Sequence, residues 1–275
     1  NYTNATGYAL LEEVSIYIGG QLIESFNSQW LDIYDELFIK NDKQEALYEM
    51  VNKYTDESHL HTNMINDLEL EIPLPFWFCK NIENALPLVA LQYHEVEIKI
   101  KFRNSENMVI VDNYPITDTN FNFGYGESSS SAITISNCEL LIDCIYLDND
   151  LRKFYALNNH EYLIEQIQMN NNELITLPYN QSNNTNTIDI KFNNPIKELI
   201  WVFVENSNLL KSGTNYDDGD TNTNDSTDHT GNRPFLYSQL KDVQDKYDAW
   251  ITNAQLVLNG QDRDNAMFVD QDDFI

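Results

Sequence analysis

The sequence predicts an all-β protein of packed antiparallel sheets with short helical insertions. Three observations carry that reading. Glu95 to Phe102 (EVEIKIKF) alternates strictly between apolar and charged residues, the period of a half-buried strand. Leu11 to Phe26 (LEEVSIYIGGQLIESF) places a Gly-Gly pair between two alternating runs, a two-residue hairpin signal. Short apolar segments recur along the chain without the strand–helix alternation of a parallel sheet.

Taken in order, Val14, Ile16 and Ile18 fall on one face of the first strand, and QLIESF resumes after Gly19-Gly20. From Trp30 to Tyr54 the period changes. Leu37, Phe38, Leu47, Met50, Val51 and Tyr54 recur at helical spacing, which predicts one or two inserted helices. Leu68 to Ile72 (LELEI) alternates again, but Pro73 and Pro75 take the chain out of any ladder. The run that follows, Phe76-Trp77-Phe78-Cys79, with a second apolar block from Ala85 to Leu91, belongs to core or to a binding surface. In Glu95–Phe102, Val96, Ile98, Ile100 and Phe102 point inward. Further strands are expected at Ile133–Leu147, Tyr162–Met169, Ile188–Phe192, Leu199–Val204 and Ala254–Leu258, with a turn at Asn259-Gly260. Asn104–Ser131 and Ser212–Asn232 read as loops, the second because it has no apolar period.

The 275 residues accommodate one large all-β domain or two smaller ones. A formal charge of −28 argues against a grip on nucleic-acid phosphates or on an anionic membrane surface, and for solubility through repulsion. No run reaches the ~20 apolar residues of a membrane-spanning helix. Cys79, Cys138 and Cys144 form no CxxC pair and sit in apolar runs, so they are expected to be buried, reduced thiols. A chain that opens at Asn1 without an initiator methionine is expected to be a fragment or a processed product.

Candidate chemistry is sparse. His59 and His61 (HLH) have the spacing of paired metal ligands, with His94 as a distant third, but the carboxylate such a site needs is missing at Ile65 and Asn66. Asp217, Asp218, Asp220 and Asn222 resemble a calcium loop without its glycine, and His229 stands where the closing glutamate belongs. Glu69 with Glu71, or Glu95 with Glu97, have the spacing of a glycosidase acid–base pair, about 7 Å on one strand face. A solvated sheet face explains both pairs. Neither a catalytic residue, a metal ligand nor a cofactor-binding residue is assigned. Sequons at Asn1, Asn4, Asn180, Asn183 and Asn224 provide glycosylation candidates, with Asn180, Asn183 and Asn224 the retained ones.

The run IPLPFWFCKNIENALPLVALQYHEVEIKIKF (Ile72 to Phe102) closely resembles the major capsid proteins of the nucleocytoplasmic large DNA viruses, those of algal, insect and amoebal viruses. Glu12–Phe26, Cys138–Asp148 (CELLIDCIYLD), His160–Gln168 (HEYLIEQIQ), Phe192–Trp201 (FNNPIKELIW) and Asn259–Arg263 (NGQDR) agree in the same order. Leu151 departs from the family's usual acidic residue, and Asp264 from its usual aromatic. The resemblance implies a double jelly roll, two antiparallel β-sandwiches in one chain. Residues 1–150 would be the C-terminal part of the first, 151–160 a connector, and 161–275 the N-terminal part of the second. It implies a structural, non-enzymatic subunit of an icosahedral virion, assembled in the host cytoplasm as a homotrimeric pseudo-hexagonal capsomer. Its partners would be itself, neighbouring capsomers, and minor capsid and penton proteins, with an internal viral membrane nearby and no direct contact with the genome. It also implies strands beyond both ends of the present chain, whose loss would leave open edges and promote aggregation. The alternative is a jelly-roll carbohydrate-binding protein or glycosidase, which would need Trp77 exposed beside paired carboxylates.

Overall fold

The computed structural model describes residues 2–54, 68–108, 134–170 and 186–204, together with Leu209 and short pieces between 234 and 268. Its centre is a three-stranded antiparallel sheet of β1 (Leu11–Ile18), β2 (Gln21–Asn27) and β3 (Val96–Phe102), in the order β2-β1-β3. The hairpin expected at Gly19-Gly20 is there, with φ of 58° and 80°. Both central residues lie in the left-handed region that a two-residue hairpin turn requires.

Space as well as φ restricts Gly19. A Cβ there would lie 2.7 Å from His94 Nδ1, whereas one on Gly20 would meet nothing within 4 Å. Gly20→Ala is expected to cost only the left-handed penalty, about 1–2 kcal/mol, and Gly19→Ala measurably more. Urea unfolding of G19A, G20A and G19A/H94A checks this: removing the imidazole should bring G19A back to the G20A level. Equal losses in G19A and G20A would remove any role for His94 in the turn.

Ahead of the sheet a five-residue helix, α1 (Thr6–Leu10), packs Tyr8 and Ala9 into the core. Nothing in the local pattern predicts it. After β2 come α2 (Ser28–Phe38) and α3 (Asn41–Val51), where the change of period predicts helix. The Asn27 side chain caps α2, accepting from Trp30 N–H at 2.9 Å. Asn52 ends α3 in the left-handed conformation at φ 56°, with Lys53 N–H returning to Tyr48 O at 2.8 Å. The inward face of α2 is not the one that carries Leu37 and Phe38. Leu37 and Phe38 are exposed, whereas Leu31, Asp32 and Asp35 are buried, because a cation waits for the two carboxylates.

Val14 and Ile16 of β1, Phe26 of β2, Leu31, Leu47, Val51, Phe76 and Trp77 make one apolar core, with Val96, Ile98 and Ile100 of β3 packed against it. Phe102, expected to point inward, is exposed at the end of β3. The opposite sheet face is polar: Ser25 Oγ donates to Glu13, Lys101 pairs with Glu12, and Lys99 lies 4.0 Å from the Tyr17 ring centre.

Leu68–Ile72, 134–147, Tyr162–Met169, Ile188–Phe192 and Leu199–Val204 are not ladder strands here, contrary to expectation. Residues 134–147 present Ile135, Leu140, Leu141, Ile142 and Tyr146 to solvent, Tyr146 at 94%. Alternation specifies a strand's two faces, but a ladder also needs a paired neighbour, and among the described residues these segments have none. The helix α4 (Trp77–Lys80) lies in the aromatic block, and α5 (Asn149–Leu157) occupies the expected connector. Asp148 caps α5 at Leu151 N–H, 2.8 Å. Towards the C-terminus only two-residue pairs occur among the described residues: β4 (Gln239–Leu240) with β5 (Tyr247–Asp248), β6 (Asn253–Ala254) with β9 (Met267–Phe268), and β7 (Val257–Leu258) with β8 (Gln261–Asp262). The last pair closes across the expected turn, with Gly260 at φ 75°.

Candidate functional site

The aromatic block is the joint around which the described residues are organised. Pro73 and Pro75 withhold two N–H donors, and among the described residues this stretch pairs with no strand but packs its rings against the sheet instead. Phe76 and Trp77 are 1% and 5% exposed. The Phe76 ring meets Phe26 of β2 at 4.9 Å and stacks on Phe78 at 5.3 Å, while Trp77 meets Phe78 edge-on at 5.1 Å. Leu86 of the second apolar block packs on the same cluster, but Leu88 is exposed. Of the two roles open to this stretch, Phe76 and Trp77 have the first: they are core.

A charged cluster braces the helices. Lys53 Nζ lies 2.9 Å from Asp32 and 3.0 Å from Asp35, both on α2, and also reaches Glu36. Tyr237 O–H donates to Asp32 at 3.0 Å, bringing a residue from far along the chain onto α2. Burial raises Asp32 and Asp35 above the usual carboxylate range despite Lys53, because three carboxylates share one ammonium. Burial pulls Lys53 down, but Asp32, Glu36 and Asp35 outweigh it and the amine is held above its ordinary value. Burial and Asp32 together raise the Tyr237 hydroxyl. Such a cluster fixes geometry: Asp32 and Asp35 are buried in it and Lys53 nearly so, and Glu36 alone of its charges is widely exposed to solvent.

Arg103 ties β3 back to α1. Its Nε donates to Ala9 O and its Nη2 to Ser28 Oγ, each at 2.8 Å, and burial lowers its ordinarily very high pKa.

A third polar group, Glu24, sits on the core-facing side of β2, 3% exposed. Sequence reasoning passed over both Glu24 and Lys53. The parity of Glu24 with Phe26 in QLIESF carried a signal for the first, a carboxylate in step with a core position. Nothing local marks Lys53.

Of the residues singled out from the sequence, His59, His61, Asp217, Asp218, Asp220, Asn222, Asn180, Asn183 and Asn224 lie outside the described residues. His94 is exposed beside Gly19. Glu69 and Glu71 are exposed and on no strand, and Glu97 pairs with Lys99 at 3.2 Å, so neither glutamate pair forms a cleft. Asn4 is consumed by structure: its Nδ2 donates to Tyr54 O at 2.9 Å and its Oδ1 accepts from Tyr54 and Ala5 N–H at 2.8 Å. All three cysteines are exposed, not buried as expected, because Cys79 leaves the core at α4 and Cys138 and Cys144 lie on the uncovered segment 134–147. Among the described residues no group of three or more His, Cys, Asp or Glu could hold a metal, and no helix is long and apolar enough to cross a membrane.

Two family descriptions match the chain in succession. One, for the major capsid protein N-terminus, covers residues 1–148; the other, for the large eukaryotic DNA virus major capsid protein, covers 152–270. The chain is 34% identical to a major capsid protein of Pyramimonas orientalis virus, over 73% of this chain and 44% of that protein. It is 30% identical to that of Phaeocystis pouchetii virus, over 93% and 49%, and 30% identical to that of Paramecium bursaria Chlorella virus 1, over 92% and 54%. The chain thus spans about half the length of these relatives. Its fold aligns with a quasi-atomic model of the PBCV-1 virus capsid at a TM-score of 0.63 and 25% identity, over 97% of this chain and 60% of that one.

Proposed function

The chain belongs to the family of large eukaryotic DNA virus major capsid proteins, and from that premise we propose that it is a structural subunit of an icosahedral virion shell. Its unit of assembly is a homotrimer of pseudo-hexagonal outline, and each chain contributes two jelly rolls. The observation that carries this reading is the succession of the two family matches, 1–148 and 152–270, with α5 beginning at their junction.

Residues 1–150 belong to the first jelly roll, 151–160 connect, and 161–275 belong to the second. The exposed apolar segment 134–147, whose parity is that of a strand, is the material of a sheet edge in the assembled fold. The subunit's partners are copies of itself, neighbouring capsomers, and minor capsid and penton proteins. The strong negative charge suits a shell that does not hold the genome directly, with an internal membrane between them. Assembly takes place in the host cytoplasm, and the shell needs no cofactor or catalytic group. Asn180, Asn183 and Asn224 are the acceptors if the shell carries N-linked sugars. Against a carbohydrate-binding or glycosidase role, Trp77 is buried under Phe78 and so offers no sugar platform.

Native mass spectrometry with negative-stain imaging of the protein from its natural source tests the proposal. Trimers with a pseudo-hexagonal outline are expected. A monomer carrying a stoichiometric glycan ligand or metal would overturn it.

A further inference from the structure

β2 is an edge strand, and its outer side is not bare. The register with β1 runs Val14↔Phe26, Ser15↔Ser25, Ile16↔Glu24, then jumps to Tyr17↔Leu22. Ile23 is the extra residue of this bulge. Its carbonyl accepts from Gln166 Nε2 at 2.8 Å, and one residue on, Glu24 Oε1 accepts from Ile167 N–H at 3.2 Å. Ile164 packs on the core from the same segment. A stretch of the region matched as the second capsid family thus docks on a strand of the first through two consecutive side-chain-mediated bonds.

We propose that the Glu24 carboxyl is a proton-operated clasp between these two regions, closed when neutral and loosened when charged. A carboxylate here is expensive. It stands on the core side of the strand opposite Ile16, and its second oxygen, Oε2, is buried with no hydrogen bond of good geometry among the described residues, although Trp77 N–H still bears on the carboxyl. A proton placed on Oε2 removes the charge while Oε1 keeps its bond to Ile167.

The groups around it do not supply a full counter-charge. From α4 come the exposed Lys80, whose ammonium lies 5.5 Å from the Tyr34 ring centre, and Cys79, whose thiol burial raises. From the docking segment comes Glu165, committed to Lys197. Burial pushes Glu24 up to about 7, against the opposing pull of Ile167 N–H, Lys80 and Trp77 N–H. The sign follows from linkage. A carboxyl with a raised pKa in the closed state binds more protons there than when opened to water. Closure is therefore strengthened progressively as pH falls from about 7 towards the ordinary value of 4.5, is at full strength below 4.5, and loses this contribution as pH rises through 7. The clasp acts within one chain and does not depend on the assembly state proposed above.

Hydrogen exchange of the full chain, followed by mass spectrometry on peptides spanning 162–168, tests this from pH 5 to pH 8.5. After correction for the intrinsic pH dependence of exchange, wild-type protection should fall roughly 70-fold across that range, the change that a carboxyl shifted from 4.5 to about 7 imposes. Glu24→Gln, which keeps an acceptor but cannot ionise, should show protection that does not vary with pH. Gln166→Ala should lower protection at every pH and leave the slope intact. A flat wild-type profile, or a slope that survives in E24Q, overturns the proposal. If E24Q does not fold, Glu24→Leu takes its place, since loss of the slope is the readout and that variant is also uncharged.

Discussion

Lys53→Met is expected to destabilise the protein by about 3–5 kcal/mol, the usual cost of removing one partner from a buried ion cluster. The methionine fills the space of the lysine stem, so the loss reports charge and not a cavity. What remains is Asp32 and Asp35 facing each other on α2, with the Asp35 side chain 1% exposed and its Oδ1 already without a partner among the described residues. Those carboxylates are held above their ordinary range by burial even with Lys53 in place. A buried acid whose folded pKa is raised costs stability above its unfolded value, and the cost shrinks as pH falls towards that value. The K53M deficit should therefore be larger at pH 8 than at pH 5. Asp35→Asn in the K53M background should recover part of it. Urea unfolding at the two pH values measures all three; a deficit below about 1 kcal/mol at pH 8, or one that grows on acidification, would show that the cluster is solvated.

Phe76→Ala is the second large effect, expected at about 3–5 kcal/mol. Phe76 is 1% exposed and is the ring through which the aromatic block reaches the sheet, between Phe26 and Phe78. Truncation removes the transfer energy of the ring, opens a void that β2 cannot collapse into, and forfeits two aromatic contacts of about 0.5–1.5 kcal/mol each. Phe78→Ala should cost less, because Phe78 is only half-buried. Thermal and urea unfolding of the pair rank them. Equal losses would mean that the block is a surface cluster and not the wedge described above.

The elements legible in the sequence share a physical property: their specification is local. Gly19-Gly20 can supply positive φ at two successive positions whatever surrounds it, so the β1–β2 hairpin could be read directly. The same holds for the turn before Gln261, for the alternation of β3 and for the change of period at α2 and α3. The two prolines announced that Phe76 and Trp77 leave the ladder. Where the reading failed, the missing quantity was a partner. Leu37 and Phe38 have helical spacing, yet α2 turns Asp32 and Asp35 inward because Lys53, beyond the end of α3, meets them there. Cys138 and Cys144 sit in an apolar run, yet the run lies exposed, because apolar sequence confers a tendency to be covered and not the cover itself.

By itself, then, the sequence determined the hairpin, the helical insertion and the aromatic block's departure from the ladder, and the order of motifs by which the family is identified. These follow from backbone preference and apolar period, which act over a few neighbouring residues. Only the tertiary structure decided that Lys53 closes on α2, that Arg103 ties β3 to α1, that Asn4 is spent on Tyr54, and that Glu24 meets Ile167 across 143 positions of chain. Those pairings depend on which distant groups burial brings within hydrogen-bond reach, and no local pattern encodes that distance.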